Sequence, residues 1–263
     1  MSLSRSTTTG LAATATVAGL ALAGCHSGSG SAASSGATSA AASGTHTAAA
    51  GSPTSSSVTV SGAGSASFFP AQVGDTWVYT VNSSGTKSTV RNQSVAVSGV
   101  SAGTQVTMKS TDSVSTTGTT NTFTYVIHPD GSIAIPVDTG EGGSFKLTSG
   151  GLAWPTPAQI ASGKPQDDTL TMSGTESGKS VNITAHAVFT GEGTQSVTVP
   201  AGSYTATVID ETETEKILGY PSTFNIKTWL VSGVGPVKEE MTSTMDGSSM
   251  LDQQEELTSF VKG

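Results

Sequence analysis

The nine residues 181–189, Val-Asn-Ile-Thr-Ala-His-Ala-Val-Phe, decide the fold, because every odd-numbered position among them is apolar. A period of two places successive side chains on opposite faces, which is typical of a β-strand with one buried face. Similar alternation occurs before this stretch, at residues 76–81 (Thr-Trp-Val-Tyr-Thr-Val), and after it, at residues 197–208. The chain is therefore predicted to form an antiparallel sheet.

Turn signals separate the alternating segments. Asn82–Gly85, His128–Gly131 and Pro200–Gly202 each combine residues that favour tight turns, and Gly191–Gly193 is predicted to break the strand that begins near residue 181. We count roughly ten to twelve short strands by this procedure. The expected fold class is mainly β, with the strands arranged as an antiparallel meander or half-barrel.

Two segments do not follow the simple alternation. Residues 154–168 contain Trp-Pro-Thr-Pro followed by Ala-Gln-Ile-Ala, which predicts either a short helical turn or a lid-like loop. Residues 250–261 have a mixed pattern, for which we predict a strand, with a helix as the alternative.

The N-terminus carries the features of an export signal. Arg5 precedes an apolar or small-residue run at residues 10–23, which is too short to span a bilayer. The run ends in Leu22-Ala23-Gly24-Cys25, and this motif resembles the lipobox of bacterial lipoproteins. The resemblance implies that residues 1–24 are removed, that Cys25 receives a diacylglyceryl group, and that the protein is anchored to the cell membrane outside the cytoplasm. The alternative is an ordinary secretory signal with a chance cysteine.

Residues 25–66 are nearly all Ser, Gly, Ala and Thr and contain no charged side chain. Such a segment cannot bury enough apolar surface to offset the entropy of ordering it. We interpret it as a disordered, flexible linker with an end-to-end distance of roughly 35 Å. The remaining residues, 67–263, are predicted to form a single β domain.

Composition excludes several function classes. The chain has 11 basic and 19 acidic residues, a net charge of −8, and a single cysteine. A chain without a basic cluster lacks the surface that nucleic-acid binding requires, so we expect no nucleic-acid partner. We also expect no cofactor and no intramolecular disulfide.

Three motifs carry a second resemblance. They are Gly74–Tyr79 after Pro70, residues 197–204 (Val-Thr-Val-Pro-Ala-Gly-Ser-Tyr), and Trp229 followed by residues 233–238. In this order they resemble a broad group of secreted or lipid-anchored bacterial β domains, and more loosely the half-barrel lipoproteins of the LolA/LolB type. That resemblance implies an apolar or lipid-like ligand on the concave face of the sheet.

Matches to catalytic motifs are interpreted as turns. Gly99–Gly103 fits G-x-S-x-G, but both flanks alternate as strands and no helix follows, as a serine hydrolase would require. Ser84–Lys87 fits S-x-x-K, but it lies in a predicted turn. We therefore predict that the protein is not an enzyme.

Acidic and histidine residues are interpreted as surface groups. Glu211, Glu213 and Glu215 share one face of a strand, and we expect that face to be solvated rather than to bind Ca²⁺. His128 is predicted at a turn, and His186 is predicted to point outward. No spacing suits zinc, so no metal site is expected.

Four aromatic residues are candidates for ligand contact: Trp77, Tyr79, Tyr204 and Trp229. The simpler interpretation is that they pack in the core of the sheet. The sequence thus predicts a non-enzymatic surface lipoprotein that binds an apolar or amphiphilic envelope molecule. The alternative is a structural or protein-interaction module of the cell envelope without a small-molecule ligand.

Overall fold

The computed structural model describes residues 68–113, 120–135, 146–176, 179–217 and 220–263. The signal, the Cys25 motif and the whole of the predicted linker, residues 25–66, lie outside the described residues. The described chain forms thirteen strands and one short helix. The strands are β1 (Thr76–Ser83), β2 (Thr86–Val100), β3 (Gly103–Asp112), β4 (Thr120–Ile127), β5 (Ile133–Ile135), β6 (Lys146–Gly150), β7 (Leu152–Trp154), β8 (Gln166–Glu176), β9 (Lys179–Val199), β10 (Gly202–Ile217), β11 (Tyr220–Val231), β12 (Gly235–Met245) and β13 (Ser248–Val261); the helix is α1 (Pro157–Ala161).

All strands belong to one antiparallel, nearly closed, barrel-shaped sheet. Its order is β6-β8-β9-β10-β11-β12-β13-β1-β2-β3-β4-β5-β7. Two meanders, β1 to β5 and β8 to β13, are thus joined where the first and last strands pair. The predicted mainly-β antiparallel architecture is confirmed.

The first and last strands in this order, β6 and β7, are consecutive in the chain, and the segment that they form closes the sheet at a seam between β5 and β8. β6 pairs with β8, β7 pairs with β5, and only Gly151 separates β6 from β7. The backbone N–H of Ala153 also donates to the Asp168 carboxylate across the seam, at 2.8 Å. Among the described residues, β7 and β8 are thus not joined by a strand ladder of the kind that pairs β10 with β9 and β11.

The strands are longer than the sequence suggested, and β9 is the clearest case. The predicted break at Gly191–Gly193 is wrong, because β9 runs without interruption from Lys179 to Val199. The glycines instead flank a β-bulge: Val208 of β10 pairs with Gly193, whereas Ile209 pairs with Gly191. The extra residue, Glu192, is accommodated within the ladder, as is common where a strand carries glycine.

The interior of the sheet holds two apolar clusters. The larger one combines aromatic and aliphatic side chains from most strands with Phe68 and Phe69, which precede β1. The smaller one consists of Phe224, Ile226 and Met241. Polar side chains occupy the interior face between them.

The other local predictions are resolved as follows. Residues 154–168 contain a helical turn, α1, which begins with a capping box between Thr156 and Gln159. Residues 250–261 are a strand, as predicted. The turns at residues 84–85, 101–102 and 129–131 connect hairpins, so both catalytic-motif matches lie at turns. Within the described ranges, no helix has the length and apolar character needed to cross a bilayer.

Candidate functional site

The prediction of a solvated acidic face on β10 is wrong. The side chains of Glu211, Glu213 and Glu215 are only 4%, 0% and 6% exposed. They pair across the sheet with Phe189, Ala187 and Ala185 of β9, whose side chains are apolar and buried. Cross-strand partners point to the same face of a sheet, so the three carboxyl groups lie in its interior.

The bulge in β9 is the physical reason for this placement. At the hairpin turn, Val199 pairs with Gly202, and a regular ladder from there would place Phe189 opposite Thr212. Because Glu192 is an extra residue, Phe189 instead pairs with Glu211. A register shift of one residue moves side chains to the other face, and here it moves the glutamates inward.

Two more glutamates lie on the same interior face. Glu239 of β12 and Glu255 of β13 are direct cross-strand partners, and both are buried. Directly opposed residues of this kind have Cβ atoms about 4.5–5.5 Å apart. We refer to Glu211, Glu213, Glu215, Glu239 and Glu255 together as the interior carboxyl cluster.

The pKa of every member of the interior carboxyl cluster is raised, chiefly because burial penalises the charged form. Burial raises the pKa of Glu213 and of Glu239 to about 8, and that of Glu215 to about 7. For Glu239, a hydrogen bond from the Thr228 side chain partly opposes this increase. The pKa values of Glu211 and Glu255 lie well above the ordinary value of 4.5.

Neighbouring carboxyl groups contribute to these shifts after burial. Glu213, followed by Glu239 and Asp168, raises the pKa of Glu211. Glu239, followed by Asp112, raises the pKa of Glu255. The acidic side chains therefore form an electrostatically connected series, which extends across the interior from β8 through β10, β12 and β13 to β3.

No lysine or arginine whose burial the structure describes is fully buried. Lys227 and Lys238 are half-buried, and their ammonium groups lie 5.8 and 4.8 Å from the centre of the Trp229 ring. Trp229 is itself buried in the larger apolar cluster and pairs with Val208 of β10 and Lys238 of β12. Both carboxyl oxygens of Glu213, Glu215 and Glu255 have no hydrogen-bond partner among the described residues.

Neutral polar side chains in the interior are also unsatisfied. Gln253 is two residues from Glu255 on the same face of β13, and its buried amide nitrogen has no partner. Asn92 of β2 is fully buried opposite Trp77, and neither of its amide atoms has a partner. An unpaired buried polar group costs about 1–3 kcal/mol, so native proteins rarely retain several of them without a reason.

Two of the predicted aromatic residues, Trp77 and Tyr79, come together in the interior. The Trp77 indole N–H donates to the Val234 carbonyl at 2.6 Å, and the Tyr79 hydroxyl donates to the Pro236 carbonyl at 3.0 Å. Both residues line a small cavity near Phe69, whose volume of about 10 Å³ is enough for one water molecule. Glu255 and Glu239, after burial itself, raise the pKa of Tyr79, so this aromatic region adjoins the interior carboxyl cluster.

The other two predicted aromatic residues, Tyr204 and Trp229, adjoin the same large apolar cluster but do not line this cavity. The half-buried Tyr204 hydroxyl donates to the Ala201 carbonyl at 3.5 Å, within the β9–β10 hairpin. Trp229 is buried in the larger apolar cluster, and its indole N–H donates to the Gln195 side-chain carbonyl at 3.4 Å. The structure therefore does not bring all four predicted aromatic residues to one site.

The remaining candidates lie away from the interior. His186 points outward, as predicted, and lies 3.5 Å from the Asp167 carboxylate. His128, at the end of β4, makes a 2.8 Å hydrogen bond with the Ala102 carbonyl through Nδ1. Within the described ranges, no three acidic, histidine or cysteine side chains are placed to hold a metal ion. Cys25 lies outside the described residues.

Sequence reasoning missed Glu239, Glu255 and the unsatisfied amides. A signal was present, because Glu239 lies between Val237 and Met241, and Glu255 precedes Leu257 with the same period of two. A charged residue in phase with apolar neighbours marks a polar group on a buried face.

Comparisons with known proteins address the fold. A family model described as DUF3108-like matches residues 137–250, which is less than half of the chain. A protein from Parabacteroides distasonis assigned as a lipoprotein is 16% identical, with a TM-score of 0.55 over 74% of this chain and 99% of that one. An assigned exported protein with a YmcC-like fold from Bacteroides fragilis is 14% identical, with a TM-score of 0.53 over 75% of this chain and 100% of that one. No curated protein matches significantly. The chain thus has the same overall fold as these two bacterial proteins.

Proposed function

We propose that this chain is a non-enzymatic lipoprotein of the bacterial cell envelope, whose barrel-shaped sheet binds an amphiphilic molecule in its interior. The location outside the cytoplasm is supported by the export signal and by the assignments of the two similar structures as lipoprotein and exported protein. The binding function is supported by the polar interior described above.

The anchor rests on Cys25. A diacylglyceryl group supplies two acyl chains, and two chains hold a protein stably at a membrane where one gives only marginal binding. Metabolic labelling with a fatty acid is expected to mark the wild-type chain and not Cys25→Ala. Equal labelling of the two chains would contradict the anchor.

The observation that carries the binding function is the set of buried polar groups without partners. Glu213 and Glu255 each retain two unpaired carboxyl oxygens in a nearly closed sheet, and Gln253 and Asn92 add unpaired amides. A purely structural core would gain stability by replacing these side chains with apolar ones. Their position between two apolar clusters suits a ligand with both polar and apolar parts.

The cavity beside Phe69 holds about one water molecule, so a larger ligand requires the sheet to move outward. We place such movement at the contact between β7 and β8, where the described residues form no strand ladder. Native mass spectrometry of the full-length chain purified from its host is expected to show a small-molecule adduct that organic extraction removes. An adduct-free chain with no extractable small molecule would refute the binding function.

A second function, a structural or protein-interaction module of the envelope, is favoured by the same small cavity volume. It predicts a defined protein partner and no adduct. Cross-linking in intact cells, combined with native mass spectrometry of the same preparation, separates the two functions.

A further inference from the structure

We infer that the ligand has an uncharged head group that both donates and accepts hydrogen bonds, an amide or a hydroxyl, and that this group binds at the cavity beside Phe69. Its partners there are Asn92, Ser94 and Tyr125. The inference rests on the proposed binding function and specifies its site and the chemical class of its ligand. It is carried by a cavity with aromatic walls and by three buried, neutral side chains whose polar atoms lack partners.

The walls of the cavity come from strands on both sides of β2. Those that β1, β3 and β4 contribute are Trp77, Tyr79, Met108, Phe123 and Tyr125. Because β2 lies between β1 and β3 in the sheet, its interior side chains lie between these walls. Aromatic and apolar walls with a few polar groups among them are typical of a site for an amphiphilic small molecule.

Two of the unpaired side chains belong to β2. Asn92 is the cross-strand partner of Trp77. Ser94 is the cross-strand partner of Met108. Cross-strand partners point to the same face, so both side chains face the interior beside the cavity. Both are fully buried, and neither the Asn92 amide nor the Ser94 hydroxyl has a hydrogen-bond partner among the described residues.

The third unpaired group belongs to a wall of the cavity. Tyr125 is 1% exposed, and its hydroxyl has no hydrogen-bond partner among the described residues. Burial raises the pKa of this hydroxyl and Asp75 raises it further, so the hydroxyl lies within electrostatic range of Asp75. The Asp75 carbonyl accepts a hydrogen bond from the Ser94 backbone N–H at 2.9 Å. The Tyr125 hydroxyl therefore lies towards the part of the cavity where Ser94 is found.

The unpaired atoms determine what the head group must offer. The Asn92 amide presents a donor and an acceptor, and each hydroxyl can do either. A cation would leave the Asn92 amide nitrogen without an acceptor, and an anion would be buried where no fully buried lysine or arginine is described. Asp75 needs no cation, because its two carboxyl oxygens accept hydrogen bonds from the backbone N–H groups of Gln72 and Gly263. An uncharged amide or hydroxyl satisfies the set without burying a charge.

Phe69 limits the room in the cavity and connects it to the seam. It lies in the segment before β1, which forms no strand, and its ring centre is 5.5 Å from those of Tyr125 and Trp154. Trp154 is the last residue of β7, at the seam of the sheet. Movement of β7 would therefore free Phe69 and enlarge the cavity while the long ladders of the sheet stay intact.

The test uses four ligands with the same acyl or alkyl chain: octanamide, methyl octanoate, octylammonium and octanoate. Octanamide donates and accepts hydrogen bonds, methyl octanoate only accepts them, and the other two are charged. Isothermal titration calorimetry with the full-length chain at pH 7 is expected to show octanamide binding about tenfold or more tightly than each of the others. The reason is that each of the others leaves a buried polar group unpaired or buries a charge.

Two variants locate the site. Asn92→Leu keeps a similar shape but removes the amide, so it should lose the preference for octanamide and, with no unpaired amide to bury, unfold at a higher urea concentration than the wild type. Tyr125→Phe should also weaken octanamide binding without lowering the urea midpoint. Asn182→Leu, at an exposed position of β9, is the matched control and should keep the wild-type preference.

Each outcome decides a separate point. Equal binding of octanamide and the charged ligands would overturn the uncharged class, and a preference that persists in Asn92→Leu would overturn the site. If Asn92→Leu is less stable than the wild type, the amide has a structural role and the inference fails. Binding of none of the four ligands would mean that the cavity holds water alone; the proposed binding function is lost as well only if native mass spectrometry also finds no adduct.

Discussion

Replacing Glu213 with glutamine is expected to stabilise the folded chain at alkaline pH and to change its stability little at acidic pH. The Glu213 side chain is fully buried, and its cross-strand partners are Phe224 and Ala187. Neither carboxyl oxygen has a hydrogen-bond partner among the described residues, and burial raises its pKa to about 8. Glutamine has nearly the same shape but no charge to bury.

The direction and size of the effect follow from proton linkage. The folded-state pKa of about 8 lies above the ordinary value of 4.5, so between these pH values the folded chain holds a proton that the unfolded chain has released. Stability therefore falls as pH rises through this window, by up to about 1.4 kcal/mol per pH unit. The total is about 5 kcal/mol by pH 9, as an order of magnitude, and the glutamine variant avoids this cost.

Urea unfolding of the full-length chain, followed by tryptophan fluorescence at pH 5 and pH 9, measures this difference. The variant and the wild type should agree within about 1 kcal/mol at pH 5, where both side chains are neutral in the folded chain, and differ by about 3–5 kcal/mol at pH 9. Glu240→Gln, at an exposed position, should show no such divergence. If the wild type and Glu213→Gln have the same dependence on pH, then Glu213 is not buried as an unpaired acid and the reasoning about the interior fails.

Three further substitutions test the fold by the same unfolding assay. Gly191→Ala would place a Cβ against the Ile160 carbonyl of α1 and should lower the free energy of unfolding by about 1–3 kcal/mol. The control Gly99→Ala, whose Cβ meets open space, should lower it by less than about 1 kcal/mol. Equal losses would contradict the packing of α1 on β9. Phe69→Ala removes a buried ring that contacts two other aromatic rings and should lower the free energy of unfolding by about 3–5 kcal/mol. An unchanged free energy of unfolding would place this residue outside the core. Tyr79→Phe leaves the buried Pro236 carbonyl without its donor and should lower the free energy of unfolding by about 1–3 kcal/mol. An unchanged urea midpoint would argue against that hydrogen bond.

Much of the sheet was predictable from the sequence because alternation and turn chemistry act locally. The period of two at residues 181–189 identifies both the strand and its buried face, and the hairpin at Pro129–Gly131 follows from residues that favour a tight turn. The closure of the sheet was not predictable in this way. It depends on pairing between β1 and β13, which are far apart in sequence, and on the residues 146–154 that bridge the seam.

The candidate site was mispredicted for a specific physical reason. Alternating glutamates give the same pattern on a solvated face as on an interior one, so local sequence cannot distinguish the two. The outcome is set by the register between β9 and β10, which the single extra residue Glu192 shifts by one position. Periodicity within one strand carries no information about a bulge in its partner.

The interior carboxyl cluster links stability, pH and binding in one physical argument. Because burial raises the pKa values of its members, the folded chain loses stability as pH rises above 4.5, and the contributions of Glu215, Glu213 and Glu239 level off only as pH passes about 7 to 8. A ligand that binds only the folded state adds stability that grows with the logarithm of its concentration relative to its Kd, so the amphiphile proposed above would offset part of this loss. The same unpaired side chains that make the interior unfavourable as a purely structural core are the ones that support its proposed role as a binding site.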